Sequence, residues 1–152
     1  MLKPFIKNIG IINVQVGENV QVMEPANLYG CVIGDNSFVG PFTEIQTGVI
    51  VGKYCRIQSH TFICEGVIIG ANCFIGHGVM FINDDFACGS PAGGDKTKWK
   101  KTIIGNHVSI GSNATILPVV ICDRAVIGAG AVVTTDINSP GKYAGNPARK
   151  ID

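Results

Sequence analysis

Aliphatic side chains recur at every sixth position over most of the chain. The step is unbroken from residue 33 to residue 81, resumes at residue 104, and continues to residue 133 with one shorter step after Ile116. The residue two places before each of these positions is small or β-branched, and glycine often follows. Because side chains two apart share one face of a strand, each hexad predicts a short strand with two inward residues and then a corner. The recurring positions are Ile33, Val39, Ile45, Val51, Ile57, Ile63, Ile69, Ile75 and Phe81, then Ile104, Ile110, Ile116, Ile121, Ile127 and Val133.

Three such strands close a triangular coil of about 18 residues, and stacked coils pair in parallel roughly 4.8 Å apart. The repeat therefore predicts an all-β protein, a parallel β-helix of about six triangular coils that forms a single domain over residues 1–152. Composition agrees, since 21 Ile and 16 Val stand against only 3 Leu. β-branched side chains favour strands over helices.

The repeat is interrupted once, which predicts an excursion loop at about residues 83–103. The loop is polar and glycine-rich, and it holds the single tryptophan and a basic run of four lysines. Long excursions of this kind are often functional. The sequence leaves two interpretations, a solvated loop or a contact with a phosphate-bearing substrate on a neighbouring subunit. The lysines are Lys96, Lys98, Lys100 and Lys101.

One outward-facing row of the predicted prism is apolar in every coil. An exposed apolar stripe of this length predicts an interface between subunits. The row consists of Val32, Ile50, Ile68, Ile103 and Val120.

Charge and hydropathy narrow the range of functions. A formal net charge of +1 with 15% charged residues gives no basic field for nucleic acid. Apolar runs are too short to span a membrane, and the polar start over residues 1–7 does not resemble a signal peptide. We therefore expect a cytoplasmic protein with no membrane or nucleic-acid partner. Its six cysteines are then expected to be thiols, with Cys88 in the excursion as the reactive one.

Three C-terminal segments resemble a known family more closely than the repeat alone does. They are residues 110–118, 126–134 and 143–151, and the last contains Gly-Asn-Pro-Ala. Over residues 30–152 the chain resembles the hexapeptide-repeat acyltransferases. That resemblance implies a left-handed coil, a homotrimer with active sites between subunits, and acetyl-CoA as co-substrate. It also implies that coenzyme A lies along the coil edge, with Arg149 and Lys150 at its phosphates or, alternatively, forming an ordinary basic tail. The implied backbone contacts are Gly111, Ser112, Ala129 and Gly130.

The segment Phe81-Ile-Asn-Asp resembles the Phe-Thr-Asn-Asp motif of nucleotide-sugar 3-N-acetyltransferases, with Ile82 in place of threonine. No histidine lies between residues 78 and 106, which argues against an O-acetyltransferase, because an alcohol needs a general base. A neutral sugar amine is already nucleophilic and needs only to be oriented for attack. We expect Asn83 to orient the amine and Asp84 to accept or stabilise its proton. The alternatives are a corner residue in left-handed conformation for Asn83 and a loop cap for Asp84.

Three further residues are candidates for substrate binding. His60 and His77 occupy the same corner type in successive coils, as substrate ligands or as packing residues. Glu65 lies in register with Asn83 and would place the amine or the sugar hydroxyls, unless it is a solvated carboxylate. We interpret His107 as solvated, and the histidine spacing predicts no metal site.

The resemblance to the nucleotide-sugar 3-N-acetyltransferases favours acetyl transfer from acetyl-CoA to the 3-amino group of a dTDP-3-amino-3,6-dideoxyhexose. Acceptors that remain open are a UDP-3-amino-uronate, a 4-amino sugar nucleotide or a small-molecule alcohol. A non-catalytic trimeric β-helix scaffold is the alternative from another class.

Overall fold

The computed structural model describes residues 10–152, so residues 1–9, including the segment examined for a signal peptide, lie outside the described part. The described chain is a parallel β-solenoid of about seven turns with three faces. Sheet A contains β1 (Ile11–Ile12), β4 (Asn27–Tyr29), β7 (Glu44–Ile45), β10 (Phe62–Ile63), β13 (Met80–Phe81), β16 (Thr115–Ile116) and β19 (Val132–Val133). Sheet B contains β2 (Gln15–Val16), β5 (Val32–Ile33), β8 (Ile50–Val51), β11 (Val67–Ile69), β14 (Thr102–Ile104) and β17 (Val120–Ile121). Sheet C contains β3 (Gln21–Val22), β6 (Phe38–Val39), β9 (Arg56–Ile57), β12 (Phe74–Ile75), β15 (Ser109–Ile110), β18 (Ala125–Ile127), β20 (Gly141–Ala144) and β21 (Arg149–Lys150).

The register confirms the fold predicted from the repeat. Phe62 pairs with Glu44 in the coil before and Met80 in the coil after, each 18 positions away. Among the described strands, every pair is parallel except β20 and β21, which turn the C-terminal segment back on itself. The architecture is consistent with the expected left-handed β-helix. An additional N-terminal coil, in which only weak aliphatic signals mark the repeat, brings the turns to about seven where six were predicted.

The interior is a column of buried side chains supplied by the two inward positions of each hexad. Ile33, Ile45, Ile57, Ile63 and Ile75 are completely inaccessible to solvent. Small polar residues in the other inward slot donate to carbonyl oxygens near the corners, as Thr61 Oγ1 does to Gly76 O at 3.0 Å. All six cysteines are free thiols, and the predicted core positions Cys31, Cys55 and Cys73 are buried.

The glycines that follow the buried aliphatic residues are required by close approach between coils. A Cβ added to Gly52 would lie 2.6 Å from the carbonyl atoms of Gly70, and one added to Gly76 would lie 2.6 Å from the backbone nitrogen of Ser112. The left-handed backbone angles fall at other corner positions, which are occupied by asparagine, histidine, aromatic residues, Arg124 and a second set of glycines such as Gly48 and Gly78. Gly52 and Gly76 themselves do not adopt positive φ angles.

We name the corners by the sheets that they join. The AB corner holds Glu65, and the excursion leaves from the same corner one coil later, between Phe81 and Thr102. The CA corner holds His60 and His77. A single short 3-10 helix, Lys96–Lys98, lies in the excursion. Across residues 10–152 we find no helix long and apolar enough to cross a membrane.

Candidate active site

The base of the excursion is anchored to the coil beneath it through Asn83. Asn83 Nδ2 donates to Glu65 O at 3.0 Å, while Lys100 N–H donates to Asn83 O at 2.9 Å and closes the loop. The side-chain amide is thus oriented by its nitrogen, and within residues 10–152 its oxygen Oδ1 accepts no hydrogen bond. The backbone of Asn83 does not adopt the left-handed conformation, so the alternative of a corner residue chosen for that conformation is wrong.

Asp84 organises the excursion. Its Oδ1 accepts from Phe86 N–H at 3.1 Å and its Oδ2 accepts from Ala92 N–H at 2.7 Å. This is the geometry of a loop cap, and it fixes the carboxylate directly beside Asn83. Each oxygen keeps a further lone pair, so the cap does not exclude a contact with substrate.

Three ion pairs join the lysine run to acidic residues, and the longest of them links Lys98 Nζ to Asp95 Oδ2 at 3.9 Å. Lys96 Nζ lies 2.5 Å from Glu65 Oε2 and within 5.5 Å of the Trp99 ring centroid. Lys100 Nζ lies 2.5 Å from Asp85 Oδ2. That contact, together with a backbone N–H, holds the pKa of Asp85 below its usual range. The solvated-loop interpretation is therefore incomplete, because three of the four lysines form ion pairs within the loop or with the neighbouring coil.

A line of polar groups crosses the outer face of sheet A toward Asn83. Tyr29 Oη and Gln46 Nε2 donate to Glu44 Oε1 at 3.0 and 3.2 Å. Gln46 Oε1 in turn accepts from the N–H of Glu65 at 3.2 Å. Glu44 and Gln46 are further candidates that the sequence motifs do not indicate. The sequence feature that could have indicated Glu44 is its carboxylate in an outward row of sheet A, where the next two residues, Phe62 and Met80, are apolar.

The predicted histidines lie elsewhere, on the CA corner. His77 Nδ1 shares a 2.9 Å hydrogen bond with Ser59 Oγ, and the His60 ring stacks on Phe42 with centroids 4.9 Å apart. Both histidines are exposed. His107 is exposed on the BC corner, as predicted.

The expected coenzyme A contacts share the corner of the histidines. Asn113 N–H donates to His77 O, and Gly130 N–H donates to Ser112 O, each across one coil. These bonds place Gly111, Ser112, Ala129 and Gly130 in one column above His77. Arg149 and Lys150, both exposed, lie in β21 at the end of sheet C.

The predicted site residues thus form two groups. Glu65, Asn83 and Asp84 lie together at the AB corner, whereas the histidines and the coenzyme A candidates lie along the CA corner, across the width of sheet A. A single chain does not bring the groups together. Over residues 10–152, no cluster of three or more histidine, cysteine or acidic side chains is arranged to hold a metal ion.

The repeat is also recognised by comparison with known families. The bacterial transferase hexapeptide repeat matches residues 30–64, and the hexapeptide repeat of succinyl-transferase matches residues 66–80 and 101–135. The chain belongs to the hexapeptide-repeat family. The gap between the matched segments coincides with the excursion, so the family's repeat does not describe the loop that carries Asn83 and Asp84.

Hexapeptide-repeat relatives are similar over most of this chain. The bifunctional protein GlmU of Clostridium beijerinckii is 32% identical over 138 residues, which is 86% of this chain and 30% of that protein. The chain thus spans about 30% of the length of the curated relatives that it matches. AntD of Bacillus cereus, an N-acyltransferase solved with dTDP and coenzyme A, superposes with a TM-score of 0.73 at 25% identity, covering 93% of this chain and 84% of that one. A hexapeptide-repeat acetyltransferase of Vibrio cholerae, complexed with acetyl-coenzyme A, gives 0.60 at 20% identity, covering 93% and 71%.

Proposed function

We propose that the protein is an acetyl-CoA-dependent N-acetyltransferase that acts on the 3-amino group of a nucleotide-linked amino sugar, with a dTDP-3-amino-3,6-dideoxyhexose as the favoured acceptor. The observation that carries this proposal is the anchored Asn83 amide, which leaves one acceptor oxygen free beside the excursion. AntD, the relative solved with dTDP and coenzyme A, supports the substrate class.

The chemistry needs orientation more than base strength. The lone pair of a neutral amine attacks the thioester carbonyl carbon, so that a C–N bond forms and the C–S bond breaks. The amine proton passes by way of a nearby carboxylate to the departing thiolate, which leaves as the free thiol of coenzyme A. Asn83 Oδ1 accepts from the amine N–H and directs the lone pair, and Asp84 receives the proton as charge develops. Backbone N–H groups stabilise the oxyanion.

The separation of the two groups of residues supports a trimer with shared active sites. The AB corner of one subunit supplies Asn83, Asp84 and Glu65. The CA corner of its neighbour supplies His60, His77, the acetyl-CoA contacts Gly111, Ser112, Ala129 and Gly130, and, near the coenzyme phosphates, Arg149 and Lys150. The apolar outward row of sheet B is available to form the contact, since Ile50 and Ile103 are 45% and 43% exposed in the single chain.

The proposal is tested by thiol release from acetyl-CoA, followed with a thiol-reactive dye. The acceptors are dTDP-3-amino, dTDP-4-amino and UDP-3-amino sugars, with a simple sugar alcohol as the control. Fast release with a 3-amino sugar nucleotide alone is the expected result. Release with the alcohol alone would overturn amine transfer, and absence of acetyl-CoA binding by calorimetry would favour the scaffold.

A further inference from the structure

A cavity of about 240 Å³ opens on the outer face of sheet A, two to three coils before the excursion. It is separate from the base of the excursion, where Asn83 lies. Its lining combines an aromatic ring, a carboxylate, a carboxamide and small apolar surface. The lining residues are Pro25, Ala26, Asn27, Phe42, Thr43 and Glu44.

The Glu44 carboxylate is held in a defined orientation at this cavity. Tyr29 Oη and Gln46 Nε2 both bind Oε1, whereas within residues 10–152 the second oxygen accepts no hydrogen bond. Burial and the neighbouring carboxylate raise the pKa of Tyr29, so the phenol keeps its proton and remains a donor. An ionised carboxylate only accepts hydrogen bonds. The free oxygen therefore selects a ligand that presents an N–H or O–H.

Phe42 supplies a flat apolar wall. Its ring is 59% exposed and stacks on His60, with 30° between the ring planes. Its backbone is held at φ 59°, a conformation rarely adopted by bulky residues, by an N–H bond to Pro25 O. A ring fixed in this way, with one side backed by histidine, is suited to stacking with a planar ligand.

We propose that this cavity binds the base of the nucleotide sugar and selects an imide pyrimidine, uracil or thymine. Phe42 stacks on the ring, the free Glu44 oxygen accepts the N3–H, and the Asn27 amide donates to the adjacent ring carbonyl. Cytosine is rejected because its N3 is an acceptor and would meet the Glu44 carboxylate. This proposal rests on the proposed function and deepens it.

The polar line across sheet A joins the two sites. Glu44 contacts Gln46, Gln46 contacts Glu65, and Glu65 O accepts from Asn83. Glu44 and Asn83 are separated by two coils, roughly 10 Å along the solenoid axis. A ligand with its base at Glu44 and its amino sugar at Asn83 would lie along this hydrogen-bonded line.

The test measures binding of free dTDP, UDP and CDP to the full chain by calorimetry, without acetyl-CoA. We expect dTDP or UDP to bind at least about tenfold more tightly than CDP, and E44Q to weaken dTDP or UDP by about tenfold or more. E44Q should also reduce the preference for dTDP or UDP over CDP, because the amide of the substituted glutamine can donate to the cytosine N3. F42L weakens all three nucleotides, and F74L, at an exposed phenylalanine on sheet C, is the matched control with unchanged binding.

The outcomes separate this proposal from the function on which it rests. If E44Q and F42L are folded and bind dTDP, UDP and CDP as the wild type does, the base subsite is wrong, even where sugar nucleotides are acetylated. If the variants lose nucleotide binding as expected but the wild type acetylates no sugar nucleotide, the base subsite is supported and the proposed reaction is wrong. A change in oligomeric mass with unchanged nucleotide affinity would assign the cavity to a second copy of the chain and overturn the proposal.

Discussion

Replacing Asn83 with alanine distinguishes a catalytic amide from a structural one. The substitution removes the 3.0 Å bond from Asn83 Nδ2 to Glu65 O and, at the same time, the free oxygen Oδ1. The lost bond between neutral, half-buried groups is worth about 1 kcal/mol of unfolding free energy. For a chain of this size, that loss lowers Tm by about 2–4 °C.

A role in orienting the amine adds a second effect of a different size. Misplacing a reacting group by about 1 Å costs on the order of 100-fold in rate, which corresponds to about 2.7 kcal/mol of transition-state free energy. We therefore expect Asn83→Ala to lower kcat by about 100-fold and to change KM for acetyl-CoA by less than about threefold. The assay is initial-rate thiol release at saturating acceptor, with Tm measured on the same samples.

The control is Asn138→Ala, a matched substitution of an exposed asparagine away from the AB corner. It should leave both kcat and Tm unchanged. A fall in Tm for Asn83→Ala with wild-type kcat would mean that the amide only fastens the excursion, and the mechanism proposed for Asn83 would be refuted.

Three further predictions concern packing, charge and thiol chemistry. Gly52→Ala places a Cβ against the next coil and should lower the free energy of unfolding by about 1–3 kcal/mol in urea titrations; an unchanged midpoint would contradict the close-approach explanation. Lys100 lowers the pKa of Asp85, so the ionised carboxylate stabilises the fold at neutral pH and this contribution is lost as pH falls through roughly 4 and below. The urea midpoint of Asp85→Asn should therefore decline less on acidification than that of the wild type. Exposed Cys88 should react quickly with a thiol reagent, whereas Cys64, whose pKa burial raises to about 12, should react only after unfolding; equal rates in the native protein would contradict this order.

The solenoid could be predicted from sequence because its contacts repeat at a fixed interval. A residue such as Ile63 meets the residues 18 positions before and after it in the interior column, so the same six-residue pattern specifies strand, corner and register together. The glycines illustrate what the repeat predicts and what it does not. Glycine marks the corners correctly, but the repeat does not indicate that Gly52 is required by the close approach of Gly70.

The site was less predictable because its contacts do not follow the repeat. Lys96 reaches Glu65 across 31 positions through a loop whose path no periodicity specifies. Asn83 is a candidate because its motif resembles that of a known enzyme class, whereas Glu44 lies in no such motif. Its proposed role depends on Tyr29 and Gln46, which both donate to one of its oxygens, while the other oxygen accepts no hydrogen bond within residues 10–152.

A complementation experiment follows from the two groups of site residues lying at different corners. Asn83→Ala disables the AB corner, and Ala129→Trp, at an exposed position, blocks the proposed path of coenzyme A along the CA corner without disturbing the core. Suppose that each active site takes its AB corner from one subunit and its CA corner from the next. A site in a mixed trimer is then intact when the AB corner comes from an Ala129→Trp subunit, which keeps Asn83, and the CA corner comes from an Asn83→Ala subunit, which keeps Ala129. Random assembly of an equal mixture makes about one quarter of sites intact. Mixtures unfolded and refolded together should thus regain about 25% of wild-type thiol release, while separately folded samples mixed afterwards stay inactive. Inactive co-refolded mixtures, with trimers confirmed by mass, would place both corners' chemistry in a single chain and contradict the shared site.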